Sequence, residues 1–169
     1  MTSLYVDSPT GSGPNPLDLI EQLLGSNEWP FERVTDDEIT ASVTGKWCEY
    51  HMRFFWREDG RVLQTACVFD ARIPDPRRAK IFETLALINE RMWVGHFEIW
   101  SDENVLMYRH ATIADAEAVG ISPEVCETLI ETALSECERF FPVFQFVIWA
   151  GKEPAEAIES ALLETVGEA

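Results

Sequence analysis

The segment from Trp47 to Arg57 constrains the fold most, because its residues alternate between apolar and polar with a period of two. Its even positions are apolar and its odd positions include charged side chains: Cys48, Tyr50, Met52, Phe54 and Trp56 against Glu49, His51, Arg53 and Arg57. Successive side chains of a β-strand point to opposite faces of a sheet. We therefore predict a strand with one face in the core and one face outside it.

Turn residues on either side of this strand predict how it pairs. Asp59-Gly60 is typical of a two-residue type I′ turn, which would place Trp56 opposite Leu63. A turn at Gly45-Lys46 would likewise place Ile39 opposite Met52. Both turns bury the same face, so we predict antiparallel hairpins with a shared core side.

A second hairpin is predicted around Asp102-Glu103, in the middle of the chain. Closing the turn there places Phe97 opposite Tyr108 and His96 opposite Arg109. The aromatic residues would then pack inward, and the charged residues would share the other face.

His96, Glu98 and Arg109 share that other face and form a candidate ligand-binding face. The residues favour an ion pair between Glu98 and Arg109 beside a histidine. A metal or catalytic site would need a third ligand or a nucleophile, and His110 points the other way. A register slip of one residue would place His96 opposite His110, so this exclusion depends on the turn.

Helices are predicted where capping residues or prolines precede apolar residues with helical spacing. They begin near Asn15, Asp75, Ser122 and Pro154. Past Pro142 the third of these helices is apolar nearly all round, so its second apolar face needs a cover and is a candidate homodimer interface.

The charge and the N-terminal composition limit location and partners. A net charge of -17 would repel phosphate backbones, which excludes direct binding of nucleic acid. No apolar run is long enough to span a bilayer. Residues 1–15 are rich in Gly, Pro and Ser and lack the features of a signal peptide, so we predict a flexible arm followed by a single domain over residues 16–169 in the cytoplasm.

Motifs for known reaction types are missing from the sequence. It has no G-x-S-x-G, Walker loop, H-E-x-x-H or G-x-G-x-x-G motif. The four cysteines lack metal-finger spacing and are expected to be buried, reduced thiols: Cys48, Cys67, Cys126 and Cys137. We therefore predict no enzyme, no cofactor and no metal.

The non-core face of the first sheet segment is a candidate protein-binding surface. Trp47, Phe55 and Val68 alternate there with polar residues that include Arg53. Large apolar rings mixed with arginine are typical of contact surfaces. The alternative is that the N-terminal arm or a helix of the same chain covers these residues.

The order of elements over residues 16–160 resembles the YbjN family of bacterial sensory transduction regulators, whose fold is similar to that of type III secretion chaperones. Three segments carry the resemblance: Leu87 to Glu90, Val94 to Ile99 with Tyr108-Arg109, and Phe144 to Gly151 followed by Pro154 and Ala157. It implies an α+β fold with an antiparallel sheet flanked by helices, often paired into a homodimer that binds proteins.

Two functional hypotheses follow from the sequence and the resemblance. The first is a non-enzymatic, cytoplasmic protein-binding regulator or chaperone-like homodimer that uses the sheet aromatics. The second is a small-molecule or metal-responsive sensor that uses His96, Glu98 and Arg109. The identity of the protein partner does not follow from the residues.

Overall fold

A computed structural model describes residues 15–114 and 120–166 of the chain. The sheet contains β1 (Phe31–Thr35), β2 (Glu38–Thr44), β3 (Glu49–Arg57), β4 (Val62–Arg72), β5 (His96–Trp100) and β6 (Val105–Ile113). The α-helices are α1 (Pro16–Ser26), α2 (Arg78–Asn89), α3 (Pro123–Ile148) and α4 (Pro154–Val166). The predicted α+β class, with an antiparallel sheet flanked by helices, is confirmed.

The six strands follow the order β1-β2-β3-β4-β6-β5, and every neighbouring pair is antiparallel. The sequence-derived register of β3 against β4 is confirmed, with Trp56 opposite Leu63. The register of β5 against β6 is confirmed as well, with His96 opposite Arg109. Strand β6 lies inside the sheet between β4 and β5, so β5 is an edge.

The turns at the ends of these hairpins differ from the predicted type. Neither Asp59 nor Gly60 has the positive φ that a type I′ turn requires, and Arg61 takes the left-handed conformation instead, with φ 49°. Asn104 has the same role in the second hairpin, with φ 56°. One left-handed residue after the turn therefore preserves the pairing that the sequence predicted.

The register of β2 against β3 that was predicted from a turn at Gly45-Lys46 is wrong by two residues. Ile39 lies opposite Phe54 rather than Met52, because a four-residue connection over 45–48 replaces the two-residue turn. The Gly45 amide donates to the Cys48 carbonyl oxygen at 2.9 Å. A shift of two residues keeps the same side chains on the core face, so the prediction of which side chains face the core remains correct.

The inner face of the sheet holds the core, and α3 packs against it through aromatic rings. Phe69 and Phe97 from the sheet meet three phenylalanines of α3, with neighbouring ring centroids 5.4 to 6.2 Å apart: Phe140, Phe141 and Phe144. All five rings are buried. Edge and tilted ring contacts of this kind stabilise the core beyond simple area burial.

The helix starts follow the predicted capping residues at three of four places. Asn15 accepts from the Leu17 amide at 2.9 Å, and Ser122 accepts from Val125 at 3.3 Å, while Pro154 begins α4. Asp75 does not cap α2; a single 3-10 turn, Asp75–Arg77, comes first.

The second apolar face of α3 is covered within the chain, by α4 and α2, rather than left for a dimer partner. Ala157, Ile158 and Ala161 of α4 are buried in the core that results. Val125 near the start of α3 and Ala155 near the start of α4 are exposed. The proposed dimer interface on this helix is therefore occupied by the protein's own helices.

The edge strand β5 is held by the end of α2. The Asn89 carboxamide accepts from the Phe97 amide at 2.8 Å and donates to the Phe97 carbonyl oxygen at 3.0 Å. These two bonds reproduce at Phe97 what a neighbouring strand would make there.

The predicted N-terminal arm lies outside the described residues, apart from Asn15. None of the helices formed by the described residues has an apolar stretch of the length that a bilayer span requires.

Candidate functional site

The two candidate surfaces from the sequence lie on one continuous face of the sheet, opposite the core. Strand pairing aligns Arg53 with Ala66, Ala66 with Arg109 and Arg109 with His96 in a single row across four strands. All described helices lie on the other side, since α3 packs on the inner face and the remaining helices contact α3. We call this surface the outer face.

Arg53 organises the centre of the outer face. Its guanidinium lies over the rings of Phe55 and Trp100, 5.0 and 5.3 Å from their centroids. Glu38 on the neighbouring strand accepts from it at 2.7 Å. An arginine that contacts two rings and donates to a carboxylate is held in one orientation, which reduces the entropy lost when a partner binds.

Arg53 lines a shallow cavity of about 160 Å³. We call it the outer groove, and it is lined by side chains from four strands: Arg53, Phe55, Gln64, Ala66, Val68, Trp100 and Met107. Apart from Ala66, which is buried, these side chains are only partly buried. An apolar depression with a fixed cation and an amide suits a protein segment with apolar side chains.

Trp47 does not belong to the outer face, contrary to the sequence-based prediction. It lies in the connection between β2 and β3, and its indole Nε1 donates to the Glu138 carbonyl oxygen of α3 at 3.1 Å. The misplaced turn explains the error, since residue 47 precedes β3 and need not follow its alternation. Arg53, Phe55 and Val68 do come together as predicted.

The ligand-face residues form a self-contained group beside the groove. The Glu98 carboxylate accepts from Arg109 at 2.7 Å and lies 3.3 Å from His96 Nε2. All three side chains are partly exposed, so the ion pair is a weak contribution to stability. Within residues 15–114 and 120–166, no three potential metal-binding side chains of His, Cys, Asp or Glu gather around a common point.

His110 points to the inner side of the sheet, as the register predicted, opposite Thr65. Its Nε2 lies 3.2 Å from the Thr112 hydroxyl. Burial, and secondarily the neighbouring His96, lower the pKa of His110 below its usual value. The imidazole is therefore biased towards its neutral form in the fold.

The cysteines are free thiols rather than disulfides, as predicted. Cys67, Cys126 and Cys137 are buried, and Cys48 is partly buried. Burial raises the pKa of the Cys48 and Cys126 thiols to about 11. At neutral pH these groups are therefore protonated and poor nucleophiles.

Trp100 and Met107 are groove residues that the sequence reasoning missed. The β5 and β6 register already placed both on the face of Arg109, so alternation within that hairpin was a usable signal. What the sequence did not give was the pairing of β6 with β4, which brings Met107 opposite Val68. That pairing joins residues from two separate hairpins.

Solved structures show the same fold at low sequence identity. The ExsC–ExsE complex matches with a TM-score of 0.53 and 15% identity, covering 73% of this chain and 88% of the other. YbjN from E. coli, described as a putative transcription regulator, matches with a TM-score of 0.50 and 11% identity, covering 71% of this chain and 84% of the other. The predicted likeness to secretion chaperones is confirmed at the level of fold.

No curated protein matches the chain at a significant level. A protein-family model does match: residues 16–146 fit the YbjN family, described as "Putative bacterial sensory transduction regulator". The family indicates a regulatory module. The chain belongs to the YbjN family.

Proposed function

We propose that the chain is a non-enzymatic protein-binding regulator, chaperone-like in architecture, whose outer groove holds a segment of a partner protein. The observation that carries the proposal is the Arg53 guanidinium lying over the rings of Phe55 and Trp100 in an apolar depression outside the core. Aromatic residues and arginine dominate the energetics of protein interfaces. The ExsC–ExsE complex, which has the same fold, supports protein binding as a use of this architecture.

The proposal includes a cytoplasmic homodimer as the working form, with residues 16–169 acting as one domain. The outer face remains open for partners because all described helices lie on the inner side of the sheet. Native mass spectrometry of gently purified protein measures the oligomer directly. A dimer supports this part of the proposal, and a monomer at micromolar concentration contradicts it.

Matched aromatic substitutions test the groove. Trp100→Ala and Phe55→Ala are expected to lower the amount of partner captured by the immobilised chain by tenfold or more, because aromatic rings that a partner covers are typical hot spots. Trp93→Ala is the control, since Trp93 is fully exposed in the connection after α2. Quantitative mass spectrometry of captured proteins gives the comparison. Equal capture by all three variants and the unsubstituted protein would contradict a binding role for the groove.

A sensor that uses His96, Glu98 and Arg109 is the second candidate function. It is favoured by one observation, namely that a single carboxylate joins an arginine and a histidine at the margin of the groove. This reading predicts a retained small molecule or metal in native mass spectrometry. It also predicts that His96→Ala abolishes the ligand-induced rise in melting temperature.

A further inference from the structure

A second cavity adjoins the outer groove and shares Arg53 with it. This cavity lies on β1, β2 and β3, has a volume of about 400 Å³, and its lining includes Glu32, Thr40, Ser42 and His51. We call it the β1 cleft. The outer groove, on the other side of Arg53, is lined mainly by apolar side chains. Arg53 therefore lies between two depressions of different chemistry.

Strand pairing places the β1 cleft and the outer groove in one row across the sheet. Glu32 lies opposite Thr40, and Thr40 lies opposite Arg53. Arg53 in turn lies opposite Ala66, which lines the outer groove. Directly opposite residues share a face of the sheet, and three strand spacings, about 14 Å in all, separate Glu32 from Ala66. A segment that fills the groove can therefore extend across the cleft to Glu32.

Glu32 supplies an unpaired negative charge at the far side of the cleft. It is exposed, and it makes no ion pair with any residue of 15–114 or 120–166. Glu38, by contrast, is paired with Arg53 at 2.7 Å. The whole chain has a net charge of -17, so its field attracts cationic segments. Local and long-range charge therefore both favour a basic side chain at Glu32.

We propose that the partner segment is extended and carries a large apolar side chain and, four residues away, a lysine or arginine. The apolar side chain fills the outer groove against Phe55 and Trp100, and the basic side chain pairs with Glu32. This inference rests on the proposed function, because it names the chemistry of the partner at the same groove. An extended chain rises about 3.3 Å per residue and presents every second side chain to the same face, so four residues span about 13 Å.

The other margins of the groove give the segment a direction. On the β5 side, Arg109 and Glu98 pair with each other at 2.7 Å. At the end of β3, the Arg57 side chain is 74% exposed and would repel a basic residue. Neither margin offers an unpaired carboxylate. The basic residue of the segment therefore lies towards β1 and the apolar residue towards β5.

Selection from a random peptide library, displayed on phage and bound to the immobilised full chain, tests the spacing and the charge together. We expect enrichment of Lys or Arg four residues from an aromatic or aliphatic residue. Glu32→Lys should change the preference at the basic position to Asp or Glu and leave the apolar position unchanged. Asp70→Lys is the matched control, because Asp70 is an exposed carboxylate two residues beyond Val68 on the same face. In this control the basic preference should remain.

Synthetic peptides of the selected sequence measure the size of the effect. Replacing the basic residue by Glu should weaken binding to the unsubstituted chain roughly five- to tenfold, because an attractive exposed pair becomes a repulsive one. With Glu32→Lys the order of the two peptides should reverse. The methyl resonance of Met107, which lines the groove, reports occupancy in NMR titrations. Met52, fully buried on the inner face, is the internal reference.

Failure of this inference is distinguishable from failure of the proposed function. If the selected peptides require Trp100 but prefer acidic residues, or keep their basic preference in Glu32→Lys, the groove binds partners and the inference is overturned. If no peptide is enriched, or if selection is the same on Trp100→Ala, the proposed function fails and the inference fails with it. If Trp100→Ala lowers the dimer fraction of the protein alone in native mass spectrometry, the groove holds a second copy, which overturns the inference as well.

Discussion

Both faces of the sheet carry aromatic residues, but the rings have different neighbours on the two faces. On the inner face, Phe69 and Phe97 are at most 1% exposed and are surrounded by the rings of α3. On the outer face, Phe55 and Trp100 are half-buried and their common neighbour is the Arg53 guanidinium. The inner rings contact other rings, whereas the outer rings contact a cation that remains near water.

This difference indicates what each face is for. Rings packed on rings remove the most apolar surface from water and stabilise the fold. Rings arranged around an arginine leave apolar surface available together with a directional polar group, which is the composition of an interface. The two faces should therefore respond in opposite ways to substitution: the inner face in stability and the outer face in binding.

The largest expected effect separates the two faces directly. Phe69→Ala should lower the free energy of unfolding by about 3–5 kcal/mol, because it leaves a cavity among packed rings. Phe55→Ala should lower it by about 1 kcal/mol or less, because its ring is half-buried. Urea unfolding of both variants gives the comparison. Equal losses would show that the outer ring is part of the core.

The tightness of the inner face is tested at Gly95, which has φ 69°. A methyl group there would overlap the Tyr108 ring and hydroxyl, so Gly95→Ala should cost about 1–3 kcal/mol from backbone strain, with the overlap adding to it. Gly60→Ala is the control, since its added carbon would approach Val62 at an ordinary 3.4 Å. Thermal unfolding of both variants measures the difference. Equal melting temperatures for the two variants would mean that the inner face rearranges to accommodate the added methyl group.

The edge of the inner core is tested at Asn89. Asn89→Ala removes both bonds to the Phe97 backbone and should lower the free energy of unfolding by about 1–2 kcal/mol. Asn27→Ala, which removes one exposed bond to the Leu23 carbonyl oxygen, should cost less. Hydrogen exchange should accelerate at the Phe97 amide in the first variant alone. Unchanged exchange there would mean that Asn89 does not close the edge.

The smallest expected effect concerns pH. The lowered pKa of His110 means that folding favours its neutral form, so its contribution to stability is present above about pH 6.5 and is lost as the pH falls through the folded value. His110→Gln should therefore flatten the decline in the urea midpoint between pH 7 and pH 5. The control is His51→Gln on the outer face, for which the decline should persist. If the urea midpoint of His110→Gln declines with falling pH as steeply as that of the unsubstituted protein, the decline does not arise from His110.

Alternation and turn residues predicted much of the local pairing. Two hairpins have the register that Asp59-Gly60 and Asp102-Glu103 indicated, although the left-handed residue is Arg61 or Asn104 rather than a turn glycine. The Gly45-Lys46 turn failed because Gly45 begins a longer connection. Hairpin pairing depends on a few consecutive residues, which is why a sequence pattern suffices for it.

The candidate site was predicted only in parts. Arg53, Phe55 and Val68 belong to one hairpin and were found together, whereas Trp47 was assigned by continuing an alternation beyond the strand. Met107 enters the groove because β6, not β5, pairs with β4. No local signal specifies that choice between two strands of similar composition.

The sequence by itself determined which side chains share a strand face, where helices begin and that the chain is strongly acidic, because these properties depend on neighbours within a few residues. The tertiary structure decided the strand order, the covering of α3 by α4 and α2, and the meeting of Arg53 with Trp100. These contacts join residues far apart in the chain, and they form because burying whole apolar faces outweighs any local preference.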